Sequence, residues 1–181
     1  MSRIRYRVGN MFPQLPTEST IVVIPHIVND LGAWGAGFVV PLAKNYPKSR
    51  EAYVDWHKGE QVYPKFELGS MQPVKVAENV FVCNMIAQSG LKSLDNPKPI
   101  KYLALAKCLE RVNNLCGPLG VEVHAPAFGS DLAGGDWRVI SALIDEILTF
   151  PANIYIYTLT QEQQDRLLER PVLNSPVGDF R

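Results

Sequence analysis

The stretch HIVNDLGAWGAG, residues 26–37, has three glycines shortly after an apolar run at residues 21–24 that is typical of a buried strand. A second glycine-rich stretch, GSDLAGGDW at residues 129–137, follows another strand-like run. Glycine-rich turns between a strand and a helix leave backbone N–H groups unpaired, and such groups can bind phosphate. Two such turns at the carboxyl edge of one sheet predict a site for a diphosphate ligand.

Glycine-rich turns also occur where no ligand binds, because glycine serves any turn that needs a positive φ angle. One such turn alone would be weak evidence for a ligand site. A dinucleotide-binding Rossmann fold requires Gly-x-Gly-x-x-Gly after the first strand, where this chain reads GNMF at residues 9–12. Neither turn ends in Gly-Lys-Ser or Gly-Lys-Thr, so the Walker motif is absent as well. The sequence therefore excludes both of these common nucleotide sites.

The composition is that of an ordinary globular protein of 181 residues, 46% of them apolar. Eighteen basic residues balance eighteen acidic ones, so direct nucleic-acid binding is not expected. No apolar run approaches the roughly 20 residues of a membrane helix, and we expect no membrane association. The three cysteines lack metal-ligand spacing and predict a reduced, cytoplasmic protein without a metal or other cofactor: Cys83, Cys108 and Cys116.

Strand-like and helix-like patterns alternate along the chain, which predicts an α/β fold. The expected strands cover residues 3–8, 21–24, 80–86, 121–125 and 154–157. The first should lie at an edge of the sheet and the second in its centre. Residues 37–46 and 48–58 are expected to form two helices or one helix broken at Pro47. Two further helices are expected over residues 99–115 and 136–148, the last capped by Asp136. We expect a monomer with one domain over residues 1–160 and a tail over residues 161–181 that contains one short helix.

The first glycine-rich stretch carries a specific combination of residues. A histidine, an asparagine and Gly-x-Trp-Gly-x-Gly precede an apolar helix and Tyr-Pro-Lys: His26, Asn29, Gly32, Trp34, Gly35, Gly37, Tyr46, Pro47 and Lys48. With Pro126, Gly129 and Trp137 of the second stretch, this combination resembles the macrodomains, in particular the branch with the fungal ADP-ribose-1''-phosphate phosphatases. The resemblance extends from Arg3 to Leu159. It implies a three-layer α/β/α fold with a mixed, largely parallel central sheet.

The resemblance also implies that the protein binds ADP-ribose or ADP-ribose-1''-phosphate. The family holds adenine with an acidic residue after the first strand, where this chain has Asn10, and approaches the distal ribose with the residue equivalent to Asn29. Asn10 can accept from the adenine amino group or be a simple turn residue, and Asn29 can stabilise its own turn while binding. The implied ligand-binding residues are Gly9, Asn10, Met11, Asn29, Gly32, Trp34, Gly35, Ala36, Gly37, Gly129, Ser130, Asp131, Leu132, Ala133 and Gly134.

The candidates for catalysis are His26, Asn29 and Asp131. An imidazole with a pKa near 6.5 can act at neutral pH as an acid, a base or a nucleophile, and the sequence does not separate these roles for His26. Asp131 stands where the family usually has glycine, and a carboxylate beside phosphate is repulsive unless it is protonated, turned away or used as a base. We expect it to be turned away, with water activation as the alternative. Asp30 in the first loop is likewise a carboxylate close to the expected phosphate, and the same alternatives apply to it.

Two rival activities remain open. The macrodomain branch that cleaves glutamyl-linked ADP-ribose uses a lysine and an aspartate where this chain has Gln88 and Ala133, which disfavours that mechanism. If the alignment of this chain with that branch is shifted by a few residues, Lys92 takes the place of the branch's lysine. The other rival is a non-catalytic ADP-ribose reader, which needs the loops but not His26. Trp34 is expected to form a lid or wall of the site, and Phe128 and Tyr157 either to do the same or to complete the core. The other two histidines, His57 and His124, are expected to be structural.

Overall fold

The computed structural model describes residues 2–17, 19–118 and 120–169. Its strands are β1 (Ile4–Val8), β2 (Val22–Asn29), β3 (Met71–Ala77), β4 (Val80–Gln88), β5 (Glu122–Pro126) and β6 (Asn153–Thr158). Its helices are α1 (Val39–Asn45), α2 (Pro47–His57), α3 (Tyr102–Cys116), α4 (Trp137–Ile147) and α5 (Gln161–Leu168), and a short 3-10 helix covers Phe12–Gln14. The expected elements are all present within a few residues. The sequence pattern does not predict β3.

The strands form one six-stranded sheet in the order β1-β6-β5-β2-β4-β3. Neighbouring strands are parallel except β3 and β4, which are antiparallel. The sheet is therefore mixed and largely parallel, with β1 at an edge and β2 in the centre, which confirms the expected fold class. β3 forms the other edge, and its exposed Pro73 is tolerated there because an edge strand can spare one N–H.

Helices cover both faces of this sheet. α1 and α2 lie over one face, where Leu42, Tyr53 and Trp56 are fully buried. α3 and α4 lie over the other, and α3 buries Leu105 and Leu109 in the largest apolar cluster. Full burial of each such side chain contributes about 1.5–3 kcal/mol. The result is a three-layer α/β/α architecture in which the loops after β2 and β5 lie side by side at the carboxyl edge of the sheet.

The helix boundaries follow from local hydrogen bonds. The Asp136 carboxylate accepts from the backbone N–H of Arg138 at 2.9 Å, which confirms the expected cap of α4. α3 begins at Tyr102 rather than at residue 99, because the preceding residues pair with the end of β4 instead. The N–H of Ser89 donates to the Pro99 carbonyl at 2.9 Å, and the N–H of Lys101 donates to the Ala87 carbonyl at 2.8 Å. This pairing brings the chain after β4 alongside the second glycine-rich loop.

Other expectations concern the cysteines and the tail. All three cysteines are buried, as a core role requires, and burial raises the pKa of the Cys108 thiol to about 12 and that of Cys116 to about 11. α5 is the expected short helix of the tail, and its Leu167 packs against the apolar cluster beneath α3 and α4. The rest of the expected tail, residues 170–181, lies outside the described residues. Within the described residues, no helix combines the length and apolar character needed to cross a membrane.

Candidate functional site

A long cleft of about 1670 Å³ runs along the carboxyl edge of the sheet. It is lined by the segments that follow β1, β6, β5, β2 and β4, so it crosses nearly the whole width of the sheet. Pockets for drug-sized ligands are about 300–1,000 Å³, and this cleft therefore has room for a longer ligand. The carboxyl edge is also where open α/β sheets bind their ligands.

The first glycine-rich loop, residues 30–38, is shaped by Asn29 at the end of β2. Its side-chain oxygen accepts from the N–H groups of Leu31 and Ala33 at 3.0 and 3.1 Å, and its Nδ2 donates to the Ala33 carbonyl at 2.7 Å. The buried Tyr53 hydroxyl donates to the backbone and side-chain oxygens of Asn29 at 2.7 and 3.0 Å. Asn29 thus has the turn-stabilising role, with one N–H of its amide left for a ligand.

Beyond this turn, the first loop presents unpaired backbone donors. The N–H groups of Gly35, Ala36 and Gly37 form no hydrogen bond with another described residue, and all three residues line the cleft. Gly37 has a φ angle of +78°, and a Cβ there would lie 3.0 Å from Cδ1 of Leu132 in the second loop. The two loops therefore meet across the cleft, and glycine is needed where they touch.

The second glycine-rich loop, residues 127–136, presents a similar set of donors. The N–H groups of four consecutive residues have no partner among the described residues: Ser130, Asp131, Leu132 and Ala133. A tight turn holds this segment, because Gly134 N–H donates to the Asp131 carbonyl at 3.0 Å and Gly135 N–H to the Gly129 carbonyl at 2.7 Å. Residues with unpaired backbone N–H groups, from both loops, thus line one cleft, an arrangement suited to an anionic ligand.

The structure brings the predicted ligand-binding residues together along the cleft, with two exceptions. Gly32 does not line the cleft, because its Cα lies against the imidazole of His57 on the other side of the loop. Gly134 also lies outside the cleft lining, and a Cβ there would be 2.5 Å from the Pro97 carbonyl oxygen. Ligand contact by these two glycines thus stays a prediction that their position in this structure does not favour. Both allow close packing of the loops against neighbouring segments.

Asn10 lines the cleft near its β1 end, but its side chain is already engaged. Its Oδ1 accepts from the Phe12 N–H at 3.2 Å, and its backbone carbonyl accepts from Gln14 Nε2 at 2.9 Å. The turn role of Asn10 is thus present in the structure. A carbonyl oxygen has two lone pairs, so this turn does not preclude a further bond to a ligand.

His26 lies in β2 with its ring between those of Trp34 and Phe38, at centroid distances of 5.4 and 5.9 Å. Its Nε2 is 2.6 Å from Oδ1 of the fully buried Asn84. The Asn84 amide nitrogen donates to the Ser49 carbonyl and to Gln72 Oε1, so its oxygen faces the imidazole and must accept. Nε2 therefore carries the proton, and Nδ1 is an unprotonated acceptor that is buried without a partner among the described residues.

The burial of His26 bears on the roles that the sequence left open. Only 2% of the residue is exposed, and burial lowers the pKa of the imidazole from 6.5 to about 4 despite the bond to Asn84. A lowered pKa favours the neutral ring at pH 7, which favours a base or a nucleophile over an acid. The neutral ring has a lone pair on Nδ1, at the wall of the cleft.

The two loop aspartates differ in their surroundings. Asp30 Oδ1 accepts from the Gly90 N–H at 2.8 Å and so fastens the first loop to the segment after β4. Asp131 is exposed at the cleft, and its carboxylate forms none of the hydrogen bonds or ion pairs found among the described residues. Its backbone carbonyl lies 3.5 Å from Lys92 Nζ.

The residues relevant to the rival hydrolase mechanism also lie at the cleft. Gln88 ends β4 and its Nε2 donates to the Gly90 carbonyl at 3.0 Å, whereas Ala133 is buried in the second loop. Neither supplies an amine or a carboxylate. Lys92 does reach the cleft, four residues after Gln88. No cluster of three metal-ligating side chains is found among the residues that the structure describes.

Several cleft residues were not predicted from the sequence. Phe38 forms part of the wall over His26, and α5 contributes Gln163, Arg166 and Leu167 beside the end of β1. Asn84 was also missed, although a single amide within the apolar strand VFVCNMIA is the signal that a buried polar partner leaves in a sequence. His124 is fully buried and bonded to Tyr157, and Trp34, Phe128 and Tyr157 line the cleft.

No protein-family model matches the chain. The solved macrodomain protein from Streptomyces coelicolor is 35% identical, and the match covers 87% of this chain and 99% of that one with a TM-score of 0.71. The chain belongs to the macrodomain family. A Bacteroides thetaiotaomicron protein of unknown function is 37% identical with a TM-score of 0.77, over 86% and 98% of the two chains. The ADP-ribose 1''-phosphate phosphatase of Lodderomyces elongisporus is 22% identical over 84% of this chain and 98% of its own length.

Proposed function

We propose that this macrodomain binds ADP-ribose in the cleft and hydrolyses the phosphate monoester of ADP-ribose-1''-phosphate. The observation that carries the proposal is the convergence of unpaired backbone N–H groups from the two glycine-rich loops on one cleft. Such donors stabilise a diphosphate without a cationic side chain. The name of the Lodderomyces elongisporus relative, a phosphatase of ADP-ribose 1''-phosphate, supports this choice of ligand.

The direction of the ligand is taken from the macrodomain resemblance, in which adenine lies after the first strand. Adenine lies at the β1 end, beside Asn10 and Met11, and the diphosphate lies between the loops after β2 and β5. The distal ribose then lies toward β4, within reach of the remaining N–H of Asn29. Because the protein carries no net charge, recognition of the anion comes from these local donors rather than from a long-range field.

Hydrolysis requires a water molecule to attack phosphorus while the bond between phosphorus and the 1''-oxygen breaks. The water proton passes to a base, and the departing sugar oxygen takes up a proton, which gives ADP-ribose and inorganic phosphate. His26 Nδ1 is the candidate base, since it is unprotonated at neutral pH and has no other partner among the described residues. Asp131 is the second candidate, because its carboxylate is exposed at the cleft.

A non-catalytic ADP-ribose reader is the second candidate function, and a specific observation favours it. Two of the three candidate catalytic residues are used structurally: His26 is buried on Asn84, and the Asn29 oxygen accepts three hydrogen bonds. A reader requires the donors of the two loops and no base. It predicts the same affinity for ADP-ribose without release of phosphate.

The test combines binding with turnover. ADP-ribose is titrated by calorimetry, and phosphate release is followed with ADP-ribose-1''-phosphate, while ADP-ribosylated protein and nucleic acid are assayed in parallel for ADP-ribose release. We expect binding of ADP-ribose and release of phosphate only. Phosphate release absent at enzyme concentrations equal to the substrate would contradict the phosphatase and leave the reader. Release of ADP-ribose from a macromolecule would favour the rival hydrolase instead.

A loop variant connects the result to this cleft. Gly35→Asp places a carboxylate beside the proposed diphosphate, and a Cβ at this position meets no other atom within 4 Å, so the fold should be unaffected. We expect a loss of ADP-ribose affinity of at least a hundredfold from charge repulsion. Gly35→Ala is the matched control, with a change of less than about fivefold. Unchanged affinity in Gly35→Asp would place the ligand elsewhere.

A further inference from the structure

The cleft has a cation whose charge is not used within the protein. Three basic side chains line it among the described residues: Lys92, Arg138 and Arg166. Arg138 is paired with Asp136 at 2.6 Å, and Arg166 is paired with Glu162 one helical turn away. Lys92 contacts only a neutral backbone carbonyl, that of Asp131, and is exposed. Its ammonium is therefore available to an anion that enters the cleft.

The position of Lys92 along the cleft is fixed by the sheet. Lys92 belongs to the segment after β4, whereas the residues expected around adenine follow β1. In the strand order β1-β6-β5-β2-β4-β3, the ends of β1 and β4 are separated by the ends of three other strands. Lys92 thus lies at the end of the cleft opposite the adenine position, next to the carboxyl ends of β2 and β5 where the two glycine-rich loops begin.

The surroundings hold Lys92 at this end. Asp30 binds the Gly90 N–H at 2.8 Å, and Asn96 Nδ2 donates to the carbonyls of Ser89 and Leu91 at 2.9 and 3.1 Å. Hydrogen bonds therefore connect the segment before Lys92 to the first loop, and they also connect it to Asn96, which follows Lys92. A lysine on a fixed backbone loses less entropy when it binds an anion than one on a free loop.

We propose that Lys92 binds the terminal phosphate on the distal ribose and makes the cleft selective for the phosphorylated ligand over ADP-ribose itself. The inference rests on the proposed function, because it takes the direction of the ligand from it. The ammonium supplies a charge that the neutral N–H donors of the loops do not, and it offsets the nearby carboxylate of Asp131 when the dianion is bound. Lys92 is thus a substrate-binding residue, and it forms no covalent bond.

The experiment compares two probes on the whole protein by calorimetry. One is ADP-ribose, and the other is ADP-ribose bearing a 1''-methylenephosphonate, which keeps the terminal charge and resists hydrolysis. We expect the wild type to bind the phosphonate at least tenfold more tightly, and Lys92→Gln to lose that difference while its affinity for ADP-ribose changes less than twofold. Lys92→Arg should retain most of the preference, since it retains the charge. Lys44→Gln, an exposed lysine outside the cleft, is the matched control.

The outcomes separate this inference from the proposed function. Equal affinity of the wild type for the two probes, or an equal loss of both in Lys92→Gln, would overturn the role of Lys92 and leave ADP-ribose binding intact. Absence of ADP-ribose binding by the wild type would overturn the proposed function itself. A preference of the wild type for the phosphonate that weakens with added salt would support a contact between charges.

Discussion

Replacing His26 by glutamine should reduce the loss of stability of this fold between about pH 6.5 and pH 4. The pKa of His26 is about 4 in the folded protein, against 6.5 for a free imidazole, because burial disfavours the charged ring. Between these values the unfolded chain binds more protons than the folded one, so the free energy of unfolding decreases as the pH falls from about 6.5 toward 4 and is unaffected above that range. At 1.36 kcal/mol for each pKa unit, the loss reaches about 3 kcal/mol near pH 4.

The assay is urea unfolding at several values between pH 7 and pH 4, for the wild type and His26→Gln. Glutamine keeps a donor toward Asn84 but cannot titrate. His124, whose pKa is also lowered by burial, is present in both proteins and cancels in the comparison. His57→Gln, at an exposed position, is the control for loss of a histidine elsewhere in the fold. Parallel pH profiles for the wild type and His26→Gln would show that His26 does not cause the acid sensitivity, as would an NMR titration of the His26 ring near pH 6.5.

Two further predictions concern the second loop. In urea titrations, Gly134→Ala should lower the free energy of unfolding by about 2 kcal/mol more than Gly59→Ala. Both glycines have a positive φ, but only at Gly134 would a Cβ lie 2.5 Å from a carbonyl oxygen. Equal losses in the two variants would mean that the loop shifts freely. At saturating substrate, Asp131→Asn and Asp131→Gly should release phosphate at rates within about threefold of the wild type. The reason is that the Asp131 carboxylate makes no bond in the described structure. A hundredfold loss in both variants would make Asp131 the base.

Much of the fold is predictable from local sequence patterns. The apolar run of β2, the alternating residues of β1 and the cap of α4 at Asp136 are local signals, and the structure agrees with each. β3 gives no such signal, because an edge strand that contains Pro73 and a buried Gln72 has neither clear alternation nor a continuous apolar run. β3 forms because it pairs with β4, and this pairing cannot be read from the local sequence pattern.

The site is predictable in its outline and not in its details. Glycine spacing places both loops at the cleft, but it does not distinguish a glycine that faces the ligand from Gly32 or Gly134, whose neighbours His57 and Pro97 are brought near by the tertiary fold. The tautomer of His26 likewise depends on Asn84, 58 residues away in the chain. Such long-range contacts decide pKa values and packing, and a single sequence does not reveal them.

A crystal structure of the protein with ADP-ribose would show whether the backbone donors of the two loops form the binding site. We predict that the diphosphate oxygens lie within about 3.2 Å of backbone nitrogens from both loops, among residues 35–37 and 130–133, with adenine beside Asn10 and the distal ribose toward Lys92. A ligand bound outside the cleft, or one whose diphosphate contacts neither loop, would contradict this assignment of the binding site.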